Sequence, residues 1–341
     1  MTTAYETALS GIEQKPARWV ITGAAGFIGS HLVEKLLRHG QTVVGVDNFV
    51  TGNRKNLDEV QALVGAEAWS RFTLADSDVR REEDCLRFLE GADHILHQAG
   101  IGSVPLSIEK PREVHDANVT GFLNILTAAQ KLGIKRVVYA SSSSVYGDDP
   151  LLPKQEHSIG IPLSPYAASK YIDEIYAATY HQCHGLQSVG LRYFNIFGPR
   201  QDPHGAYAAV IPLWIALLRK GDPIYINGDG ETTRDFCYVA NVVQANLLGA
   251  LTASNLGADV FNVGLGGRTT LNQLFNALRD SLASRDPNLA HVQAVHRDFR
   301  AGDIRHSMAD IAKAETALGY FPTHSVAAGL QDALDWYWQN L

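Results

Sequence analysis

Tyr166 and Lys170, in the run Ser164-Pro-Tyr-Ala-Ala-Ser-Lys170, set a phenol and an ammonium four residues apart. On a helix that spacing puts both side chains on one face, about 5–6 Å apart at Cβ. A phenol ordinarily keeps its proton until about pH 10, and a nearby cation favours the phenolate. The pair could therefore remove and return a hydroxyl proton near neutral pH. Tyr and Lys are common residues, so the same spacing also suits an ordinary surface helix. The surrounding elements decide between the two.

Trp19–Thr22 reads as an apolar strand that runs into a glycine-rich turn and a helix with Leu32, Val33, Leu36 and Leu37 on one face. Further strands are expected at Thr42–Asp47, Phe72–Ala75, His94–His97, Arg136–Ser141 and Ser188–Tyr193. Helical patterns at 83–90, 113–132 and 167–184 separate most of them. Such alternation predicts an α/β fold, a Rossmann-type doubly wound parallel sheet with ligands outside the carboxyl ends of its strands. Beyond Tyr193 the rhythm changes to a loop-rich stretch around Gly198-Pro199 and Asp202-Pro203. A helix near 208–220, a strand at 260–263 returning to the main sheet, and helices near 270–284 and 326–339 follow. The expected division is a leading segment 1–16, a dinucleotide-binding domain of 17–192 plus 236–264, and a smaller, discontinuous C-terminal substrate lobe of 193–235 plus 265–341.

The turn Thr22-Gly23-Ala-Ala-Gly26-Phe-Ile-Gly29 joins first strand to first helix. Glycines there permit a tight turn, backbone approach to a pyrophosphate and close helix–strand packing, and the helix N-terminus offers unpaired N–H donors. Asp47 ends the second strand about twenty residues on, where an acid can accept from both ribose hydroxyls. A carboxylate there repels a 2′-phosphate, which favours NAD over NADP; a helix or turn cap is the plainer use of Asp47. Asp78-Val79 follows the third strand at a height suited to an adenine, and His97-Gln-Ala-Gly100 ends the fourth with small residues. Asn118 falls inside the next helix. Ser141–Ser144 closes the fifth strand, where small hydroxyls could bond a substrate oxygen or simply make a turn.

With 341 residues, 45% hydrophobic and 19% charged, the chain can bury a substantial core under an ordinary polar surface. A formal charge of −7 without a long basic run argues against a nucleic-acid partner. Cys85, Cys183 and Cys237 are too few and too scattered for a metal site or a disulfide framework. No secretion signal and no membrane-spanning apolar stretch is seen, so a cytoplasmic location is expected.

Taken together, these motifs resemble the nucleotide-sugar branch of the extended short-chain dehydrogenase/reductase family over almost the whole chain. The resemblance is carried by TGAAGFIG at 22–29, VDN at 46–48, YASSSSVYGD at 139–148, SPYAASK at 164–170, RYFNIFGPRQDP at 192–203, GDGETTRDFCYV at 228–239 and FRAGDIR at 299–305. It implies Tyr166 as acid/base, Lys170 as the residue that binds the nicotinamide ribose and tunes Tyr166, and Ser143, with Ser142 or Ser144, as the holder of the sugar 4-oxygen. It implies NAD along Gly23, Gly26, Phe27, Ile28 and Gly29, then Asp47, Asn48, Thr51, Gly52, Asp78, Val79, Gln98, Ala99, Gly100, Asn118, Ser141 and Tyr193. For a UDP-sugar it implies Arg234 and Arg300 at the diphosphate, a job suited to guanidinium forks. Asn195, Ala209 and Val210 would line the nucleotide channel, with Tyr225 and Asn227 near the uracil and Asp303 in the same lobe. A homodimer through a four-helix bundle of the 113–132 and 167–184 helices is implied as well, and no metal.

Sugar 4,6-dehydratases of this family carry an acidic pair after the fifth-strand serine or threonine, whereas Ser143-Ser144 offers no carboxylate before Asp148. The resemblance thus points to a UDP-hexose 4-epimerase: transient oxidation at C4 with tightly bound NAD regenerated each cycle, and hydride returned to the opposite face. The segments Gly102–Pro105, Arg200–Pro212 and Gly302–Ser307 are similar to bacterial UDP-N-acetylglucosamine 4-epimerases. Ser307 leaves room for an N-acetyl group, with Gly102, Ser103, Asn195 and Gln201 as other walls. Those relatives have a basic residue where this chain has Leu106. The alternatives are a UDP-uronate, UDP-N-acetylhexosaminuronate or UDP-glucose 4-epimerase, or an NAD-binding protein without catalysis.

Overall fold

Short runs of Val, Ile and Leu that stop at Gly, Ser or Asp become the strands of one sheet. In the computed structural model, which describes residues 2–202, 209–299 and 305–341, seven strands lie in the order β11-β6-β5-β4-β1-β2-β3, all parallel. They are β1 (Arg18–Thr22), β2 (Thr42–Asp47), β3 (Phe72–Asp76), β4 (His94–His97), β5 (Arg136–Ser142), β6 (Gln187–Tyr193) and β11 (Ala258–Val263). Successive side chains alternate between two helical layers, as the pleat requires. Trp19, Ile21, Leu96, Val138 and Val189 pack with Leu32 and Leu36 of α2 (Phe27–Arg38) and Val242 and Leu248 of α10 (Val239–Leu251). Val20, Ile95, Val137 and Tyr139 pack on the other side with Phe88 of α4 (Glu82–Leu89) and Phe122 and Ile125 of α7 (Gly121–Lys131). Each large apolar side chain so buried contributes about 1.5–3 kcal/mol.

Two helices beyond those expected complete the layers. The helix α10 is apolar nearly all round and buried from Val239 to Ala250, save Ala240, so it shows no 3.6-residue stripe. The other, α3 (Arg54–Trp69), buries only Leu57 and Val60 and is kinked at Gly65 (φ 80°). The leading segment forms α1 (Ala4–Gln14), started by a capping box between Thr3 and Glu6, with Ile12 in the core. The expected helix at 113–132 is broken: α5 (Val104–Glu109) and α6 (Pro111–His115) lead into a π-turn at Asp116–Thr120 before α7.

The long helix α8 (Pro165–His184) begins with Ser164 as N-cap, its Oγ accepting from Ala167 N at 3.1 Å, and Pro165 in the first turn. Past β6 the chain gathers α9 (Val210–Lys220), α11 (Leu271–Ala283) and α13 (Val326–Asn340) with three small strand pairs, whereas α12 (Ala312–Leu318), expected in the same lobe, instead packs Ala314 and Leu318 into the core of the main sheet. The strand pairs are β7 (Ile196–Phe197) with β10 (Cys237–Tyr238), β8 (Tyr225–Asn227) with β13 (Val295–Arg297), and β9 (Thr233–Arg234) with β12 (Thr269–Thr270). Ile211, Trp214, Phe236, Phe275, Leu330 and Tyr337 form a separate core cluster for this lobe. Cys85 and Cys237 are buried and Cys183 exposed, all as free thiols. None of the described helices is long and apolar enough to cross a membrane, and no metal-holding cluster occurs among the described residues.

Candidate active site

Parallel register brings the chemistry to one edge. Thr22 stands opposite Val46 and His97, Asp47 opposite Asp76, His97 opposite Tyr139, and Ser142 opposite Tyr193. A cleft of about 350 Å³ opens there. It is lined by Gly23, Gly26, Phe27, Ile28, Gly29, Asp47, Asn48, Thr51, Gly52, Asp78, Val79, Gln98, Ala99, Gly100, Ser141, Tyr166, Lys170 and Tyr193. Val46, Val50, Ser77, Arg80, Ile101, Ala117 and Ala140 line it too and were missed. Most of these are apolar and act by backbone or shape; Arg80 carried a sequence signal, two residues after Asp78.

The glycines are dictated by contact. Gly23 has φ 69°, and a Cβ on it would lie 2.8 Å from Ala99 N; a Cβ on Gly29 would lie 2.0 Å from Gly23 O. No side chain caps α2, whose N-cap is Gly26, so its first-turn amides face the cleft. Asp47 is held by two backbone donors, Ala25 N to Oδ2 and Phe49 N to Oδ1, each at 2.8 Å. Burial pushes its carboxyl up, and those two bonds act against burial. Arg80 forks onto Asp78, with Nε 2.9 Å from Oδ1, and draws that carboxyl down to about 2. On the floor, Tyr193 Oη donates to Gln98 Oε1, Gln98 Nε2 to Asn246 Oδ1, and Asn246 Nδ2 to Tyr193 Oη, each at 2.9 Å.

Tyr166 is half-buried and Lys170 buried, both on α8 facing this cleft. Lys170 Nζ donates to Asp173 Oδ2 at 3.1 Å. Asn118, expected at the cofactor, lines neither cleft. It is fully buried, with Oδ1 accepting from Ile101 N at 2.7 Å and Nδ2 donating to Ile101 O and Ser169 Oγ. It braces the wall after β4 against α8, and Ala117 takes the lining position. The π-turn rotates the residues in this way, and regular helical spacing could not show it.

The four serines separate by partner. Ser141 Oγ donates to Glu174 Oε1 at 2.6 Å, and Ser142 Oγ accepts from Ser144 N at 3.1 Å as the cap of a 3₁₀ turn, Ser143–Tyr146. Ser143 and Ser144 are half-buried, line neither cleft, and hold no hydroxyl bond among the described residues.

A second cleft of about 370 Å³ continues past the end of β6, two residues beyond Tyr193. Asn195, Ala209, Val210, Tyr225, Asn227 and Arg234 line it, with Phe197, Trp214, Thr232 and Phe236 among those missed. Asn195 carries a positive φ of 28° and its carbonyl accepts from Cys237 N. The Arg297 guanidinium lies over the Tyr225 ring. Gln201 instead donates to Ile196 O, and Ser103 caps α5 by accepting from Leu106 N; neither lines a cleft, whereas Gly102 lines the first. Ser307 donates its N–H to Thr233 O at 3.2 Å, which sets it beside Arg234. Arg300 and Asp303 lie outside the described residues.

Residues 19–264 match the model of the NAD dependent epimerase/dehydratase family. The chain is 36% identical to the solved UDP-N-acetylglucosamine 4-epimerase of Methanobrevibacter ruminantium in complex with UDP-N-acetylmuramic acid, with a TM-score of 0.87 over 96% of this chain and 100% of that one. It is 34% identical to the UDP-glucose 4-epimerase of Mycolicibacterium smegmatis over 94% of this chain and 98% of that protein. It is also 30% identical to the UDP-glucuronate 4-epimerase of Thermodesulfobacterium geofontis, over 95% and 97%. Matches of this extent, on a sheet whose edge gathers the glycine turn, Asp47, Tyr166 and Lys170, mean that the chain belongs to the NAD dependent epimerase/dehydratase family, as an NAD-dependent isomerase of the nucleotide-sugar 4-epimerase kind.

Proposed function

We propose that this protein is a UDP-N-acetylglucosamine 4-epimerase, interconverting UDP-GlcNAc and UDP-GalNAc. The first cleft fits NAD on this chain's own geometry: a side chain on Gly23 or Gly29 would fill the turn, and a Cβ on Gly52 would come 2.5 Å from Asp47 Oδ1. The α2 N-terminus would hold the pyrophosphate and Asp47 the ribose hydroxyls. Bound NAD supplies a reversible hydride acceptor for the sugar C4. Tyr166 takes the 4-hydroxyl proton and gives it back, and the Lys170 ammonium favours the phenolate that does so. Ser143, whose hydroxyl is uncommitted, holds the 4-oxygen, while Ser141 and Ser142 hold the strand end. Arg234 grips the diphosphate in the second cleft, with Tyr225 and Asn227 at the base. The first carboxylate after the serines, Asp148, accepts from Ile161 N at 2.7 Å and belongs to the loop, which leaves the turn without an eliminating acid.

The sugar choice rests on Ser307, a short side chain that lines neither cleft but is tied by backbone to Thr233 beside Arg234, where it would leave room for a C2 N-acetyl group. Tight NAD retention, a cytoplasmic location and a homodimer through α7 and α8 belong to the same reading, with Ile175 exposed on α8 as a contact position. The test is product analysis of purified protein with UDP-GlcNAc and no added cofactor, beside UDP-glucose and UDP-glucuronate. UDP-GalNAc should form fastest; strongest turnover of either other sugar would overturn the choice.

A further inference from the structure

Lys170 does not face the cleft alone. Asp173, one turn further along α8, stands 3.1 Å away, and both side chains are buried, Lys170 at 5% exposure and Asp173 at 1%. The second oxygen of Asp173, Oδ1, is buried with no hydrogen-bond partner among the described residues. A buried carboxylate left half unmatched is costly to keep for packing alone. Its neighbour Glu174 shows the contrast: Arg192 Nε and Nη2 and Ser141 Oγ satisfy both its oxygens. Across the cleft wall, a Cβ on Gly100 would lie 3.7 Å from Lys170 Nζ, so the ammonium is held close against backbone.

We propose that Asp173 is a positioning residue for the reaction: it fixes Lys170 Nζ beside Gly100 and offsets its charge, and so sets the pH at which Tyr166 can take a proton. This rests on Tyr166 and Lys170 being the catalytic pair. A lone ammonium favours the phenolate, and the same ammonium paired with a carboxylate favours it less. Asp173 is seven residues from Tyr166, about 10 Å along the helix, against four residues for Lys170. The carboxylate therefore damps the ammonium's influence without cancelling it. Burial pushes the Asp173 carboxyl up to about 6, with Lys170 opposing and Glu174 adding to the rise. Among nearby groups, burial pushes the Tyr139 phenol up and holds His97 down to about 3, and the Arg192 guanidinium lies 2.7 Å from Glu174 Oε2. Arg112, Glu113, His115 and Asp116, on the elements packed against α8, are exposed.

The test measures kcat and KM for UDP-GlcNAc from about pH 5 to 10 in wild type, Asp173→Asn and Asp173→Glu. Ultraviolet difference titration of the Tyr166 phenolate, against Tyr166→Phe in each background, accompanies it. Asp173→Asn should move the acid midpoint of kcat and the phenolate midpoint down by about one pH unit, with KM within about twofold. Asp173→Glu, which keeps the charge, should keep the wild-type midpoint whatever its rate. Wild-type midpoints in Asp173→Asn, or equal shifts in Asn and Glu variants, would overturn the proposal. Asp173→Ser, smaller and neutral, gives the same reading where Asp173→Asn does not fold. The phenolate titration needs no turnover, so a wrong sugar assignment would silence the kinetics and leave this answer standing.

Discussion

Among single residues, two serines one position apart have different jobs. Ser142 caps the turn after β5, so Ser142→Ala should lower stability by about 1 kcal/mol in denaturant unfolding. Ser143→Ala should leave unfolding unchanged and reduce kcat. Equal stability losses for both would refute the division. Tyr166→Phe removes only a proton carrier, and turnover should fall by about 10²–10⁴-fold while calorimetry shows UDP-sugar and NAD still bound. That residues 166, 170 and 47 would project into one cleft was legible only from spacing taken together with the strand–turn–helix order around them, because helix and strand geometry then fix where they project. Which serines are free was not legible, since that depends on which Oγ the Ser144 amide caps and on Glu174, 33 residues from Ser141, which only the folded chain brings against it.

At the level of elements, the turn from β1 into α2 tolerates no side chain at Gly29. Gly29→Ala should abolish NAD binding, read from nucleotide released on heat denaturation, because its Cβ would meet Gly23 O. The brace at Asn118 is a second case. Asn118→Ala leaves Ile101 N without its buried acceptor, and a loss of about 1–3 kcal/mol is expected with a fall in kcat. Unfolding curves and kinetics together check it; unchanged stability would show that the brace is dispensable. The family resemblance placed Asn118 at the cofactor, its position inside a helix showed nothing by itself, and the π-turn that turns it inward has no signature in residue spacing. Likewise α10 is buried on nearly every side, so it lacks the polar stripe by which a helix is ordinarily read.

For the molecule as a whole, buried titratable groups set the response to acid. His97 is buried beside Thr22, whose Oγ1 is 2.7 Å from Nδ1, and burial holds the imidazole down to about 3. A base with a depressed folded pKa contributes stability that is present above its unfolded value near 6.5 and lost as pH falls toward 3. Asp173 and Asp235, both pushed up to about 6 by burial, act in the opposite sense, their contribution growing as pH falls through 6. His97→Asn should therefore lose less stability than wild type between pH 6.5 and 5, by about 2 kcal/mol at the lower limit. Thermal unfolding at stepped pH measures this, and parallel curves would exclude His97. By itself the sequence determined the parallel sheet, the glycine turn, the acidic strand end and the Tyr–Lys pair, because each rests on contacts within a few residues or on a repeating period. Tertiary structure alone decided that Lys170 and Asp173, neighbours on α8 by their three-residue spacing, are both buried, and that Asn118 faces α8. It also decided that a second cleft forms where α9, β8 and β9 meet the end of β6. The reason is physical: desolvation and long-range contact are properties of what surrounds a residue, and no local pattern encodes them.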